Sequence, residues 1–380
     1  MTFSSKLPNV NTTIFTVMSK MAAEHNAINM AQGFPDYSCD DELVDLVYTY
    51  MKAGLNQYAP MAGVALLREA IAEKIKLCYN AQVNPETEIT LTCGASEAVY
   101  TAISTVVKPG DEVIVFEPAF DSYVPAIQLC GGKPVFIEMN WPHYKPDWDL
   151  VRKAINKRTK LIIINSPHNP TGSTLAPHDL LQLEEIVTES GLFVLSDEVY
   201  EHITFDNLTH ESILKHPGLR DRSFTAFSFG KTYHTTGWRM GYCVAPAHLT
   251  EEFRKIHQYI TFSIPTPMQF AMADFLKKKE HYLKLPDFYQ KKRDFFNTAL
   301  KESRFLIEPS EGTYFQLANY SHISKDSDVV MAEKLTKENG IACIPVSTFY
   351  HNKKDDKILR FCFAKQEGTL RKATDILCKI

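Results

Sequence analysis

The sequence predicts an α/β protein in which a mostly parallel sheet of seven strands carries helices on both faces, with a smaller α+β domain after it. Three observations lead to this prediction. Seven short apolar runs have the length of strands, and most of them lack the polar alternation of a half-exposed strand. Amphipathic stretches of helical length separate these runs. After about residue 265 the chain becomes charge-rich and changes to a long helical pattern followed by shorter elements.

The predicted elements follow one another in a regular order. The strands cover residues 89–92, 113–116, 135–138, 161–165, 192–196, 224–228 and 242–245. Helices are predicted between them, for example at 97–107, 148–156 and 177–190. Beyond the sheet, one long helical stretch is predicted over 268–301, with short elements at 313–317 and 358–363. This alternation indicates parallel strands that are covered on both faces.

Composition excludes several classes of protein. The 380 residues include 41 Lys and Arg against 45 Asp and Glu, a net charge of −4, so nucleic acid is not an expected partner. A hydrophobic content of 44% with 23% charged residues is typical of a globular chain rather than a disordered one. No apolar run approaches the roughly 18–20 residues of a membrane helix, so we expect no membrane association.

The cysteines and the first residues bear on the compartment. Residues 1–13 are polar and show no secretory signal. None of the eight cysteines has CxxC spacing, and no His-rich stretch has the spacing of a zinc site. We therefore expect reduced thiols in a cytoplasmic protein, and no metal site.

Polar residues follow four predicted strands, and open α/β sheets bind ligands at the carboxyl ends of their strands. After 89–92 comes Cys93-Gly94-Ala95-Ser96 at the start of a helix, a turn that suits an anion or simply caps the helix. After 161–165 a stiff turn with two prolines holds Asn169 in a fixed backbone, which suits a directed hydrogen bond. The neighbouring His168 is either a base or a bystander.

The other two strand ends carry charged groups. Asp197, with Tyr200 close behind it, follows a buried strand, where a carboxylate needs a cationic partner from the protein or from a ligand. Lys231 follows 224–228, and removal from water lowers a lysine pKa so that the amine can react with a carbonyl. Ser228 and Arg239 flank it with a hydroxyl and a cation, which suit a phosphate. A phosphate, a pyridinium and an aldehyde on one ring match these groups, and pyridoxal 5′-phosphate is that molecule.

These motifs resemble those of the class I, fold-type-I aminotransferases that depend on pyridoxal phosphate. The resemblance rests on Asn-Pro-Thr-Gly at 169–172, Asp-Glu-Val-Tyr at 197–200 and Ser-x-Gly-Lys at 228–231. It extends over nearly the whole chain. Within the class, the sequence is similar to the branch of methionine and kynurenine aminotransferases in segments 56–60, 197–202, 228–238 and 257–259. It implies an α/β fold like that of aspartate aminotransferase.

The resemblance also implies a role for each cofactor residue. Lys231 would hold the cofactor covalently and move the substrate proton, Asp197 would pair with the ring nitrogen, and both would be catalytic together with Tyr200. Asn169 and Tyr200 would hydrogen-bond the ring hydroxyl. The residues expected at the phosphate and on the ring face are Ala95, Ser96, Phe120, Ser228 and Arg239.

Further implied roles concern the substrate and a second subunit. Arg360 would grip the substrate carboxylate beside Asn169, and the backbone near Gly33 would close over it. Tyr58 would reach the phosphate of the other subunit, and Phe262 would line the partner's substrate pocket, so a homodimer with shared sites is expected. The implied domains are a large cofactor-binding domain at 45–265 and a small one formed by 1–44 and 266–380.

The predicted reaction is a ping-pong transfer of an amino group to a 2-oxo acid. Segment 258–263 offers no Arg for a second carboxylate, so methionine, aromatic or other large apolar donors are favoured. Three alternatives stay open: β-elimination from cysteine conjugates at the same site, an acyl-transfer enzyme that uses Ser228 and Lys231, and a non-enzymatic sensor module. The acyl-transfer interpretation needs a later Lys-Thr-Gly, which the chain lacks, and the sensor interpretation needs a DNA-binding domain before the sheet.

Overall fold

A seven-stranded sheet forms the centre of the structure, a computed structural model that describes residues 4–380. The strands of the described residues are β1 (Ile28–Asn29), β2 (Ile89–Cys93), β3 (Glu112–Glu117), β4 (Lys133–Glu138), β5 (Thr159–Asn165), β6 (Phe193–Asp197), β7 (Ser223–Ser228), β8 (Met240–Val244), β9 (Phe315–Asn319), β10 (Ile341–Ala342), β11 (Ile344–Pro345) and β12 (Ile358–Cys362). The central sheet has the order β2-β8-β7-β6-β5-β3-β4. The predicted mostly parallel sheet of seven strands is therefore confirmed.

One strand of the central sheet, β8, runs against the others. It is antiparallel to both of its neighbours, β2 and β7, whereas the pairs on the β7 to β4 side are parallel. The carboxyl ends of the other six strands therefore share one edge of the sheet. The amino end of β8 lies at that same edge, which brings Arg239, the residue before β8, to the ends of β2 and β7.

The two faces of the sheet contact different parts of the core. In β5, Leu161 and Ile163 belong to one buried cluster, whereas Ile162 and Ile164 belong to the other. Each such side chain contributes about 1.5–3 kcal/mol of transfer free energy when it is buried. Burial on both faces explains why these strands read as continuous apolar runs.

Helices cover both faces of the sheet. Those of the described residues are α1 (Ile14–Glu24), α2 (Asp41–Lys52), α3 (Ala65–Tyr79), α4 (Gly94–Val106), α5 (Tyr123–Leu129), α6 (Trp148–Ala154), α7 (Pro177–Ser190), α8 (Pro217–Arg220), α9 (Phe229–Thr232), α10 (Ala247–Ile260), α11 (Thr266–Leu276), α12 (Glu280–Leu283), α13 (Leu285–Leu300), α14 (Asp328–Glu338) and α15 (Glu367–Leu377). The predicted helix at 177–190 is confirmed as α7.

The single helical stretch predicted over 268–301 is wrong, because α11, α12 and α13 divide it. Pro286 lies in the first turn of α13, where its missing N–H leaves no intrahelical bond unmade. In the interior of a longer helix the same ring would clash with the preceding turn and remove a hydrogen bond. The chain therefore ends α12 and starts a new helix at this point.

The two ends of the chain meet outside the central sheet. Strand β1 pairs in parallel with β10, and β12 lies between β11 and β9 in a small antiparallel sheet. The predicted domains at 45–265 and at 1–44 with 266–380 stay a prediction, and residues 1–3 lie outside the described residues. No helix within residues 4–380 is long and apolar enough to cross a membrane.

Candidate active site

A cavity of about 120 Å³ lies at the shared edge of the sheet, where β5, β6 and β7 end and α4 begins. Nine of the ten residues that the sequence assigns to the cofactor line it: Ala95, Ser96, Phe120, Asn169, Asp197, Tyr200, Ser228, Lys231 and Arg239. Val99, Ser122, Asn165 and Val199 also line it. The parallel topology thus brings together residues from four separate strand ends.

One end of the cavity is suited to an anion. Ala95 and Ser96 lie in the first turn of α4, where backbone N–H groups have no partner within the helix. The Arg239 guanidinium donates to the Ser96 hydroxyl at 3.4 Å and to the Thr236 carbonyl at 3.1 Å. Ser228, the last residue of β7, also lines the cavity. Backbone donors, hydroxyls and a cation are the groups that bind phosphate.

Two glycines allow the close packing at this end. Gly94 has φ +70°, and a Cβ there would lie 2.7 Å from Nη2 of Arg239. A Cβ on Gly241 would lie 2.7 Å from the carbonyl carbon of Gly94 and 2.8 Å from the backbone nitrogen of Ala95. Any side chain at either position would push the guanidinium or the start of α4 out of place.

Asp197 ends β6, is buried and lines the cavity. Its Oδ2 accepts a hydrogen bond from the Tyr123 hydroxyl at 2.7 Å, and its Oδ1 accepts one from the Val199 N–H at 3.3 Å. Neither donor is a cation. Burial raises the Asp197 pKa from 3.8 to about 6, and the bond from Tyr123 limits that rise.

Asn165 connects the ends of β5 and β6. Its side-chain amide donates to the Asp197 carbonyl at 2.8 Å, and its side-chain oxygen accepts the Asn169 N–H at 2.8 Å. The Asn169 side chain in turn accepts a hydrogen bond from Arg360. Asn165 therefore holds the two predicted cofactor residues in register, a role that the sequence reasoning did not assign.

Lys231 lies in α9, directly after β7, and is partly buried. Its Nζ donates to the Tyr314 hydroxyl at 2.9 Å and to the Gly33 carbonyl at 3.3 Å. The same atom lies 5.4 Å from the centre of the Tyr200 ring. Removal from water lowers the Lys231 pKa from 10.5 to about 8, as the sequence reasoning expects of a reactive lysine.

Tyr314 contacts the predicted catalytic lysine, and sequence reasoning missed it. Its hydroxyl accepts from Lys231 and donates to the Gly33 carbonyl at 2.5 Å, so it joins the amine to the segment expected over the substrate. Nothing local in the sequence distinguishes this tyrosine, since it lies just before a short buried strand. Tyr123 was also missed, although its position three residues after Phe120 offered a signal.

Arg360 is fully buried in β12. Its Nη1 donates to Asn169 Oδ1 at 2.6 Å and its Nη2 to the Ala31 carbonyl at 3.0 Å. Within residues 4–380 its Nε has no hydrogen-bond partner. Phe315 lies 3.8 Å from the guanidinium carbon, measured to the ring centre. Burial lowers the Arg360 pKa to about 10, so the group is still a cation near neutral pH.

Gly33 and Arg360 do not line the cavity itself, and three further predicted residues also lie outside its wall. Tyr58 is 84% exposed and Phe262 47% exposed, and their rings pack edge to face at 5.5 Å. His168 is buried with its Nδ1 2.7 Å from the Thr171 hydroxyl, and burial lowers its pKa to about 3. A neutral, internally bonded ring matches the bystander alternative for His168.

A family model, curated proteins and solved structures all match this chain, and each comparison identifies aminotransferases. Residues 25–377 match the family described as aminotransferase class I and II. A methionine aminotransferase from Escherichia coli is 49% identical over 374 residues, which cover 98% of this chain and 97% of that protein. A kynurenine–oxoglutarate transaminase from Dictyostelium discoideum is 33% identical and covers 99% of this chain and 96% of its own length.

Solved structures agree in fold. The structure of YbdL from Escherichia coli, in which a methionine aminotransferase function was identified, has a TM-score of 0.98 at 48% identity and covers 100% of both chains. N-succinyldiaminopimelate aminotransferase from Mycobacterium tuberculosis has a TM-score of 0.96 at 34% identity, again over 100% of both chains. Aspartate aminotransferase from Thermus thermophilus with maleate has a TM-score of 0.92 at 28% identity and covers 100% of this chain and 99% of its own.

Proposed function

The chain belongs to the class I and II aminotransferases and has the aspartate aminotransferase fold, and from that premise we propose a specific reaction, cofactor and assembly. It moves the amino group of methionine, or of an aromatic or other large apolar amino acid, to a 2-oxo acid. It uses pyridoxal 5′-phosphate bound at Lys231, and it works as a homodimer with shared sites. The single observation that carries this proposal is the cavity in which Lys231, Asp197 and Arg239 meet.

The cavity fits pyridoxal 5′-phosphate in its chemistry. Arg239 and the first turn of α4 would hold the phosphate, and Gly94 and Gly241 let these groups pack closely together, since a Cβ at either position would lie 2.7 Å from their atoms. Asp197 would receive the ring nitrogen, because a buried carboxylate bonded only to neutral donors is stabilised by a cation. Pyridoxal phosphate, when bound, supplies an aldehyde carbon for the amino group and a protonated ring that withdraws electrons from the substrate.

Lys231 provides the amine that the reaction needs. With a pKa of about 8, roughly a tenth of its Nζ is unprotonated at pH 7, compared with well under a thousandth for an ordinary lysine. The Nζ would accept the Cα proton of the amino donor and return it. Tyr314 orients the amine by accepting its hydrogen bond at 2.9 Å, and the Tyr200 and Tyr314 ring centres lie 5.4 and 5.5 Å from the amine nitrogen.

Arg360 would bind the carboxylate of the donor and of the acceptor. Asn169 and the Ala31 carbonyl fix the two terminal nitrogens of the guanidinium, so the planar fork is held in one orientation before substrate arrives. The Nε without a partner adds one free donor in a water-poor setting. Gly33, held by Tyr314, would close beside it.

Three observations support a large apolar donor. Segment 258–263 contains no Arg that could bind a second carboxylate. The relative from Escherichia coli, at 49% identity over nearly the whole chain, is a methionine aminotransferase. The face of Arg360 is covered by Phe315, with Phe15 and Phe349 also near its guanidinium, so apolar rings surround the expected carboxylate site.

Exposed aromatic residues support the homodimer. Tyr58 and Phe262 pack together on the surface of the single chain, and Tyr259, three residues before Phe262 in the sequence, is 86% exposed. Exposed clusters of large aromatic side chains are typical of protein interfaces. A second copy of the chain over this surface would give Tyr58 and Phe262 the roles that the family resemblance implies.

Reduction with borohydride tests the cofactor. We expect the purified protein mixed with pyridoxal phosphate to give, after borohydride, one adduct on the peptide that contains Lys231. Lys231→Ala should give none, whereas Lys160→Ala, at an exposed lysine of β5, should give the native adduct. A native protein that forms no adduct would refute the cofactor and the reaction together.

A substrate panel tests the reaction. Twenty amino acids are each offered with several 2-oxo acids, and the new amino acid and the new oxo acid are measured. We expect methionine and aromatic donors to exceed aspartate and glutamate at least about tenfold in kcat/KM, a difference of about 1.4 kcal/mol in transition-state binding. Release of pyruvate and ammonia from a cysteine conjugate, without amino transfer from any donor, would favour the β-elimination alternative.

A further inference from the structure

A buried histidine–carboxylate pair lies behind the phosphate end of the cavity. His257 is on α10 and is 0% exposed, and Glu97 is near the start of α4 and is 8% exposed. Nδ1 of His257 lies 2.5 Å from Oε1 of Glu97, and Nε2 lies 3.0 Å from the Met61 carbonyl oxygen. Burying two ionisable groups is costly unless each is paired, and here every one of these atoms has a partner.

Glu97 fixes the turn that begins α4. Its other oxygen, Oε2, accepts the backbone N–H of Cys93, the residue before the helix. A glutamate that bonds back to the start of its own helix holds the first turn in place. Ala95 and Ser96, which line the cavity, lie in the segment enclosed by this bond. The position of their backbone therefore depends on where the Glu97 carboxylate is held.

A bare carboxylate would oppose a phosphate at this place. The N-terminus of a helix attracts one anion, and a second negative charge close by would repel it. The Met61 carbonyl only accepts hydrogen bonds, so Nε2 of His257 carries a proton. A second proton then lies between Nδ1 and Glu97, whichever of the two atoms it is bound to. His257 therefore compensates the negative charge of Glu97.

The same histidine also holds the segment that carries Tyr58. Its Nε2 binds Met61, and Ser263, a few residues after α10, donates to the Ala59 carbonyl at 3.1 Å. The carbonyl groups of the residues on either side of Pro60 thus accept hydrogen bonds from α10 and from the residues that follow α10. One imidazole therefore links the start of α4 to the segment expected to reach the phosphate in the other subunit.

We propose that His257 and Glu97 are positioning residues for the phosphate of the cofactor: together they fix the first turn of α4, neutralise the carboxylate beside it and hold the segment of Tyr58. The inference rests on the proposed function, because it presupposes a phosphate at Arg239 and α4. Neither residue lines the cavity, so both act through the turn and not by touching the cofactor. This assigns a role to the segment 257–259, which the proposed reaction itself does not use.

The test compares two ligands that differ only in the phosphate. The cofactor-free native protein and its variants are titrated with pyridoxal phosphate and with pyridoxal, and the dissociation constants are measured from the absorbance of the bound form. We expect His257→Gln to weaken pyridoxal phosphate about 10- to 100-fold, in line with the loss of charge-assisted hydrogen bonds, and to change pyridoxal less than about threefold. His257→Asn should behave in the same way.

A second His–Glu pair provides the matched control. His216 lies 2.9 Å from Glu211 through Nε2 and Oε1, in a half-buried turn whose residues do not line the cavity. His216→Gln should leave both dissociation constants as in the native protein. If it weakened pyridoxal phosphate as much as His257→Gln, the effect would be a general one of removing such pairs and the proposal would fail.

The remaining outcomes are equally decisive. Unchanged binding of pyridoxal phosphate by folded His257→Gln, or equal weakening of both ligands, would overturn the positioning role. So would the failure of both His257 variants to fold while His216→Gln folds, since the pair would then serve the fold itself. A native protein that binds neither ligand and gives no borohydride adduct on Lys231 would instead overturn the proposed function, and this inference with it.

Discussion

Asp197 lowers the free energy of unfolding of the cofactor-free protein near neutral pH, and one substitution should remove this effect. The folded protein buries this carboxyl with a pKa of about 6, whereas an unfolded chain gives an aspartate a pKa near 3.9. Between these values the folded state holds a proton that the unfolded state has lost. The stability that this proton provides is therefore fully present below about pH 4 and is lost as the pH rises through 6. Above that range the free energy of unfolding no longer changes with the ionisation of Asp197.

The size of the effect depends on the separation of the two pKa values. One unit corresponds to about 1.4 kcal/mol, so the ionised Asp197 destabilises the cofactor-free protein by about 3 kcal/mol at pH 7. Asparagine has the shape of a protonated aspartate: its Oδ1 can accept the Val199 N–H, and its Nδ2 can donate to the Tyr123 oxygen, which reverses that bond. Asp197→Asn should therefore raise the free energy of unfolding by about 3 kcal/mol at pH 7 and by about half as much at pH 5.

Urea unfolding of the cofactor-free proteins at both pH values, at one fixed protein concentration, measures this difference. Asp149→Asn, at an exposed carboxylate of α6, serves as the control and should change stability by less than about 1 kcal/mol at either pH. The same Asp197→Asn protein should lose about 10²- to 10⁴-fold in activity, since the ring nitrogen loses its anionic partner. A variant that is less stable than the native protein, or whose gain does not depend on pH, would refute the reasoning about burial.

Three further predictions concern single residues. An amine-reactive reagent should label Lys231 of the cofactor-free protein at half of the maximal rate near pH 8. Peptide mass spectrometry measures this labelling. A midpoint near pH 10 would show that burial does not lower the Lys231 pKa. Arg360→Lys should raise KM for every amino acid about 10- to 100-fold, because the planar guanidinium held in one orientation is lost. The control Arg371→Lys, on the exposed face of α15, should leave the steady-state kinetics unchanged. Gly241→Ala should lower the free energy of unfolding by about 1–3 kcal/mol, since its Cβ would meet the backbone of Gly94 and Ala95. The control Gly368→Ala, in open space on α15, should cause no loss of stability. Equal urea midpoints for the two variants would contradict the packing argument.

The sequence by itself determined the elements of the sheet and the residues at their ends. A strand covered on both faces must be apolar along its length, so the run of β5 can be recognised without any knowledge of its neighbours. Parallel strands end at one edge, and for this reason Asn169, Asp197 and Lys231 could be assigned to one site from their places after three runs. The chemistry of each side chain, together with the family motifs, then identified the cofactor to be tested.

The tertiary structure decided which side chains support that site. Tyr123 reaches Asp197 across 74 residues of chain, and Tyr314 reaches Lys231 across 83, so no periodicity within either segment could report the contact. The reversed direction of β8, which brings Arg239 to the start of α4 at the proposed phosphate site, depends on pairing with β2 and β7. Hydrophobic patterning reports how one element is buried, whereas hydrogen bonds between distant elements depend on how those elements pack, and that is fixed only when the whole chain has folded.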